Sequence, residues 1–259
     1  MRADIHKQTA KLFLEETGYA VEPIPEARAG DAMRADLFAS SQTDALIVEV
    51  KSRLDEEGLA DQFLKAKPRE HVGFQYSLKR NETISKEIEK SSRQIAATKV
   101  LHPSAFGVLW VRPQQRFGLR DTEQSLMATL FGMRHAHVTS PDGHAGWRKC
   151  YFCDYADLYR YRDIAAVVFN KDSDGLLIPN PFAPDAALFR STLLYNDYKR
   201  AGAVFDPEDE VADGESLVLH RSVDLREPGS VVLALAEEYP GHRIVFADMF
   251  EIGGVVPIQ

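Results

Sequence analysis

The chain has little cysteine and no long hydrophobic run. Two cysteines in 259 residues are too few for the disulfide framework of a small secreted domain, so a reducing compartment is expected. The apolar runs are far shorter than the roughly 20 residues that cross a bilayer. The first residues lack the apolar segment of a secretory signal. We therefore expect a cytoplasmic protein with no membrane partner.

A glycine-rich loop that would cradle phosphates is also missing, which argues against nucleotide hydrolysis by the chain itself. The composition is that of a globular protein, with 44% hydrophobic and 27% charged residues. The length is sufficient for one large or two small domains with an ordinary core.

Positive charge is scarce overall, and the net charge is −8. Residues 1–120 hold 19 Lys and Arg against 17 Asp and Glu, and residues 121–259 hold the remaining 12 and 22. The acidity therefore belongs to the C-terminal half. Nucleic-acid binding by the first half remains open, whereas avid non-specific binding by the whole chain is not expected. The acidic half is a candidate surface for a basic protein partner.

The most informative stretch lies between residues 33 and 53. Two short apolar runs, 37–39 and 45–48, flank a polar turn and predict a β-hairpin. The second run ends in Glu49 and Lys51, which alternation places on one face, and the hairpin brings Asp36 beside Glu49. Charges at the edge of an apolar sheet are costly unless they bind something, and a divalent metal with a phosphate is the obvious candidate. The alternative is a salt bridge beside an unrelated aspartate.

The flanking segments predict a mixed α/β fold. Residues 4–17 have the apolar spacing of a helix, and residues 19–25 are extended. Residues 82–101 form the clearest helix, with Gln94 away from its isoleucine face. The apolar run 105–111 predicts a buried, parallel central strand.

The second half gives weaker signals. We predict a helix over 122–138, a loop over 139–148, a hairpin over 164–179, a short helix over 185–199 and an exposed loop over 204–216. On this basis residues 1–120 form a core domain. Residues 121–259 form an α+β C-terminal extension, which either stands apart or packs onto the same core.

Asp36, twelve intervening residues, the triplet Glu49-Val50-Lys51 and the helix bearing Gln94 together resemble the PD-(D/E)XK nuclease superfamily. The resemblance covers about residues 4–111. It implies the restriction-endonuclease-like αβββαβ core, with a mixed central sheet flanked by helices, and Mg²⁺-dependent endonuclease activity, usually on DNA. A second acidic-x-Lys triplet, 197–199, follows no apolar strand and is discounted.

The chemistry of such a site assigns each residue a role. Asp36, Glu49 and the Val50 carbonyl would hold Mg²⁺ or Mn²⁺. Lys51 would orient a water molecule or stabilise the developing charge, and Gln94 would hydrogen-bond the nucleophile or a phosphate. Cutting both strands of a duplex needs two active sites, and therefore a homodimer.

The chain also departs from the family pattern. Arg34 and Ala35 precede Asp36 where the family has a proline. The first helix offers Gln8, our candidate contributor, where many members carry glutamate. These departures keep open an alternative, a catalytically inactive nuclease-fold protein that binds nucleic acid or another protein.

Basic residues that could contact phosphates lie mainly in a polar insertion, residues 52–80, where aromatic residues are interleaved. The predicted nucleic-acid-binding residues are Arg34, Arg53, Lys65, Lys67, Arg69, Lys79 and Arg80. The alternative is a solvated loop with one short helix near 59–65.

Cys150 and Cys153 have the spacing of half a zinc site, and His135, His137 and His144 lie nearby. The intervening Tyr and Phe fit a packed core element better than a zinc knuckle. We therefore predict buried thiols and no structural zinc.

Overall fold

A computed structural model describes residues 2–25, 33–52, 71–77, 80–112, 119–171, 174–221, 223–247 and 251–257. In chain order its elements are α1 (Arg2–Glu16), β1 (Ala20–Pro23), β2 (Leu37–Ser40), β3 (Ala45–Lys51), β4 (His71–Ser77), α2 (Glu82–Lys99), β5 (Phe106–Val111), α3 (Leu119–Phe131), β6 (Arg134–Thr139), β7 (Ala145–Tyr151), α4 (Asp157–Arg160), β8 (Ile164–Lys171), β9 (Asp174–Pro179), α5 (Ala186–Phe189), α6 (Leu193–Arg200), α7 (Pro207–Ala212), β10 (Ser216–Val218), α8 (Pro228–Glu238), β11 (Arg243–Phe246) and β12 (Glu251–Pro257).

The chain divides into two compact units, each built from separate segments. The first contains the described residues of Met1–Asp55, Thr83–Gln114 and Leu158–Asp206. The second contains those of Glu56–Glu82, Gln115–Asp157 and Pro207–Gln259. This division differs from the predicted domains 1–120 and 121–259, because two strands from the second half complete the sheet of the first unit.

The first unit is a six-stranded mixed sheet with the order β1-β2-β3-β5-β8-β9. Strands β1, β2 and β3 form an antiparallel meander. Strand β5 is parallel to β3, β8 is parallel to β5, and β9 returns antiparallel to β8. The α/β class, the opening helix, the first hairpin, the Gln94-bearing helix and the buried parallel strand are therefore confirmed.

Packing against both faces explains why β3 and β5 are apolar nearly throughout. On one face, Ala10 and Leu14 of α1 share a core with Val48 and Trp110. On the other, α2 lies very close to β5 at Gly107. A Cβ atom there would lie 2.5 Å from Ile95 Cγ2 and 2.2 Å from the carbonyl oxygen of Asp163. A side chain at position 107 would therefore push the helix off the sheet.

The second unit contains a four-stranded sheet with the order β10-β7-β6-β11. Its inner face carries Ala136, Val138 and Leu217, which form a core with Val231 and Leu235 of α8. Strands β4 and β12 make a separate antiparallel pair. No helix in the described parts of the chain is long and apolar enough to cross a membrane.

Several predictions for the second half are wrong in their boundaries. The helix predicted to reach residue 138 ends at Phe131, because Gly132 with φ +57 stops it and β6 follows. The predicted loop 139–148 is shorter, since β7 begins at Ala145. The predicted loop 204–216 contains α7, whose first residue is Pro207, a favoured helix start.

The two cysteines are buried as predicted, but the prediction of thiols is wrong. Cys150 and Cys153 are joined by a disulfide. Phe152, with φ 60, turns the chain between them and brings the two side chains together. A spacing of three residues alone does not distinguish a bonded pair from two thiols.

Candidate active site

The β2–β3 hairpin and α2 bring four predicted site residues together in the first unit. Leu37 pairs with Val48, and the backbone N–H of Asp36 donates to the Val48 carbonyl at 3.1 Å. Asp36 therefore lies one residue beyond the last paired position of the hairpin, beside Glu49. The structure thus forms the pairing that the spacing predicted.

Asp36 is held by contacts to both of its carboxylate oxygens. Oδ2 accepts a hydrogen bond from the Val50 N–H at 2.8 Å, and Oδ1 lies 2.6 Å from Lys7 Nζ. The N–H and C=O of one strand residue point to the same side. The Val50 carbonyl is therefore directed to the side of β3 on which Asp36 lies, as a metal ligand there requires.

Lys51 lies at the centre of the cluster. Its Nζ is 2.8 Å from Glu49 Oε1, 3.3 Å from Gln94 Oε1 and 3.6 Å from Glu87 Oε2. The side chain is 13% exposed, so solvent screens these contacts less than at an open surface. Three oxygen atoms from β3 and α2 thus fix the position of one ammonium group.

Gln94 and Thr98 fasten α2 to the residues that precede Asp36. Gln94 Nε2 donates to the Arg34 carbonyl at 3.0 Å, which orients the amide so that Oε1 faces Lys51. Thr98 Oγ1 accepts from the Ala35 N–H at 2.9 Å and donates to the Gln94 carbonyl at 2.8 Å. Helix α2 therefore positions Lys51 through Gln94, and it positions the residues before Asp36 through Gln94 and Thr98.

Glu49 is almost fully buried, with 2% of the residue exposed. Burial first, and then the charge of Asp36, raise its pKa to about 7 against the lowering effects of Lys51 and Lys7. Oε1 contacts Lys51, whereas Oε2 is buried and has no hydrogen-bond partner among the described residues. A buried oxygen in this state is costly unless it holds a proton or a cation.

The donor set fits a hard divalent cation. Two carboxylates and a backbone carbonyl are the oxygen ligands that Mg²⁺ and Mn²⁺ prefer, and the Glu49 Oε2 atom provides an unused position. Within the described segments no group of three or more His, Cys, Asp or Glu forms a metal site. Mg²⁺ usually keeps several water molecules in its coordination shell, so water and substrate oxygens would complete it.

The sequence places Glu87 in line with Gln94, but sequence reasoning assigned no role in the site to Glu87 or to Lys7. Lys7 belongs to the helical stripe that continues through Ala10 and Leu14, so it meets the sheet, whereas Gln8 is exposed. Glu87 precedes Gln94 by two helical turns and shares its face. Both positions were detectable once the buried face of each helix was set.

The structure describes two of the seven predicted nucleic-acid-binding residues, Arg34 and Arg80. Arg34 supplies its backbone carbonyl to Gln94. Arg80, in the second unit, donates to the buried Asp157 through Nε at 3.3 Å and Nη2 at 3.0 Å. Five others lie outside the described residues: Arg53, Lys65, Lys67, Arg69 and Lys79. The discounted triplet 197–199 lies on the helix α6, not on a strand.

Comparisons of the chain with models of protein families, with curated proteins and with solved structures find no match. The functional argument therefore rests on the chemistry and geometry of the site.

Proposed function

We propose that the chain is a metal-dependent nuclease that hydrolyses phosphodiester bonds of DNA, on a restriction-endonuclease-like core made of α1, β1–β3, α2 and β5. The observation that supports this most directly is the cluster of Asp36, Glu49, Lys51 and Gln94, in which one buried carboxylate oxygen lacks a partner in the described structure. Two acids and a lysine at the carboxyl end of β3 can hold a metal ion and stabilise developing phosphate charge, as metal-dependent phosphodiester hydrolysis needs.

Asp36, Glu49 and the Val50 carbonyl would hold Mg²⁺ or Mn²⁺. The bound cation would polarise the scissile phosphate and lower the pKa of a water molecule. Glu49 must release its proton before it can serve as a ligand, so with its pKa raised to about 7 in the metal-free site, metal affinity is expected to increase with pH below that value.

Lys51 and Gln94 place a positive charge beside the proposed metal ligands. Lys51, held by Glu49, Glu87 and Gln94, presents an ammonium group where negative charge develops on a substrate phosphate. Because its location is fixed before substrate arrives, little reorganisation is needed. Gln94 keeps the lysine and the Asp36 strand in one arrangement through its two amide contacts.

A plasmid cleavage assay with Mg²⁺ or Mn²⁺ tests the proposal. Lys51→Ala is expected to lower the rate by about 100-fold or more, the typical cost of losing a charge-stabilising donor. Lys199→Ala is the matched control, since it removes the lysine of the second triplet, which lies on α6. Nicking of supercoiled plasmid without linear product would indicate action as a monomer, and direct linear product would indicate a dimer. Full activity in both Lys51→Ala and Asp36→Asn would refute the proposal.

One contact favours a second candidate, a non-catalytic nucleic-acid- or protein-binding module. The Lys7 ammonium lies 2.6 Å from Asp36 Oδ1 and neutralises a carboxylate that a cation would need. Calorimetry separates the two candidates. Failure of the wild-type chain to take up Mn²⁺ at pH 8, with DNA or protein binding intact, would support the module and contradict the nuclease.

A further inference from the structure

The four-stranded sheet of the second unit has an outer face opposite its core. Ala136, Val138, Cys150 and Ile244 are buried against the inner core. Side chains alternate along a strand, so the intervening positions share the outer face. The outer-face residues of β6, β7 and β11 are His135, His137, Thr139, Ala145, Trp147, Lys149, Tyr151, Arg243 and Val245. Tyr151, at the end of β7, is fully buried.

A tryptophan stands exposed in the middle of this face. Trp147 pairs with His137 on β6, and His137 pairs with Val245 on β11, so the three form one row across the sheet. Trp147 is 64% exposed and Val245 is 51% exposed. The chain's other tryptophan, Trp110, is fully buried. Single exposed apolar side chains are common on protein surfaces. Trp147 differs in lying on a regular strand in one row with a histidine ring and Val245, which gives a flat surface for stacking.

His137 holds the exposed ring in place. The two ring centroids are 5.4 Å apart with an interplanar angle of 81°, an edge-to-face contact. A large planar surface with few rotamers loses little conformational entropy when another ring stacks on it. The arrangement therefore suits a flat aromatic ligand.

The charged side chains on and around the outer face indicate the class of ligand. None of the nine outer-face residues is acidic, although the C-terminal half of the chain is strongly acidic. The basic ones are Arg243 and Lys149, of which Lys149 pairs with Glu210 of α7 at 2.6 Å. The nearest acid in sequence on the β6–β7 turn, Asp142, is engaged by Ser140 and His144. Glu210 also accepts a hydrogen bond from the Tyr151 hydroxyl, so an acid borders the face at the Lys149 end, whereas Arg243 supplies positive charge at the opposite end. The face thus combines an aromatic platform with one cationic end.

We propose that the outer face of this sheet binds single-stranded DNA, with a base stacked on Trp147 and the backbone running past Arg243. Bases can reach a protruding ring only in an unpaired strand, and stacking requires no particular base sequence. An apolar protein partner fits less well, because Trp147, Val245 and Ala145 are too few to make a large apolar patch. The choice of DNA over RNA rests on the proposed nuclease function, whereas the stacking surface does not.

Fluorescence reports directly on the proposed contact. In Trp110→Phe, Trp147 is the one remaining tryptophan of the chain. Titration with an oligo(dT) of about 12 nucleotides, in EDTA to prevent cleavage, is expected to quench the emission, and added salt is expected to reverse the quenching. If that core substitution prevents folding, the wild-type chain compared with Trp147→Phe gives the same information.

Affinity variants complete the test. Trp147→Ala is expected to weaken oligo(dT) binding by about tenfold or more, in line with the loss of one stacked base. Leu233→Ala is the matched control, because Leu233 is 67% exposed on α8 of the same unit. Both variants are made in the otherwise wild-type chain and titrated in EDTA, so oligo(dT) quenching by a wild-type chain that does not cleave plasmid with Mg²⁺ or Mn²⁺ would sustain this inference while the nuclease proposal fails. Binding that leaves Trp147 emission unchanged, an equal loss in Leu233→Ala, or tighter binding of oligo(U) would each overturn the proposal.

Discussion

At the scale of single residues, Glu49 is unusual because its carboxyl group is almost fully buried. Its pKa is raised from 4.5 to about 7, chiefly by burial. The folded state therefore keeps a proton that the unfolded chain has lost between these pH values. The associated stability is fully present below pH 4.5 and is lost as the pH rises through about 7.

Glu49→Gln tests this assignment, because the amide cannot ionise. We expect the free energy of unfolding of the variant, relative to wild type, to increase by about 3 kcal/mol between pH 4.5 and pH 8. Urea unfolding across this range in EDTA measures it. Glu15→Gln, on the exposed end of α1, should show no such trend. Parallel curves for wild type and Glu49→Gln would contradict the assignment.

Lys7 places a positive charge beside the Asp36 carboxylate. Removing it in Lys7→Ala leaves the Asp36 carboxylate without the ammonium at 2.6 Å, so a divalent cation should bind more tightly. We expect the Kd for Mn²⁺ to fall about two- to fivefold, the scale of a partly exposed ion pair. Calorimetry at pH 8 measures it. Lys11→Ala, which loses only the α1 contact to Glu15, serves as control. An unchanged or higher Kd in Lys7→Ala would show that Lys7 does not compete with the metal.

At the scale of elements, α2 is joined by a side-chain hydrogen bond to the backbone just before β2. Thr98 is fully buried, and its hydroxyl satisfies the buried Ala35 N–H. Thr98→Val keeps the shape but leaves that N–H without its acceptor, so the free energy of unfolding should fall by about 1–3 kcal/mol. Thr98→Ser keeps the hydroxyl and should lose only about 1 kcal/mol for the missing methyl group. Thermal and urea unfolding measure whether Thr98→Val is less stable than Thr98→Ser. A Thr98→Val variant as stable as wild type would contradict this role of the hydroxyl.

Elements with strong local patterns were predicted well. The isoleucine spacing of α2 and the apolar run of β5 specify a helix and a strand by themselves, and both are confirmed. By contrast, β6 was predicted as the end of a helix. Residues 135–139 do alternate between polar and apolar side chains, as in a half-buried strand, but the alternation is short and directly follows a helix. The pairing of β6 with β11, far along the chain, lies outside any local pattern.

At the scale of the whole molecule, the first unit depends on strands from the second half. Strand β8 contributes Ile164, Val167, Val168 and Phe169, all fully buried. Each such side chain stabilises a fold by about 1.5–3 kcal/mol, and a typical domain has about 5–15 kcal/mol in total. A fragment of residues 1–120 should therefore fail to unfold cooperatively in circular dichroism, whereas the full chain should do so. A cooperative transition in the fragment would restore the predicted boundary at residue 120.

The sequence by itself determined the opening helix, the hairpin, the helix of Gln94 and the parallel strand after it. It also placed Glu49 and Lys51 on one face, because alternation along a strand follows from backbone geometry alone. Asp36 joined them because the hairpin register is set by two apolar runs and the turn between them.

Only the tertiary structure decided the features that depend on contacts between distant segments. Helical spacing did not distinguish Lys7 from Gln8 until α1 packed on the sheet. The place of β8 and β9 in the first sheet, and of Trp147 on an open face, follows from strand pairing across long stretches of chain. The burial of Glu49 and the isolation of its Oε2 atom likewise arise only in the packed site, since burial is not a property of the strand alone.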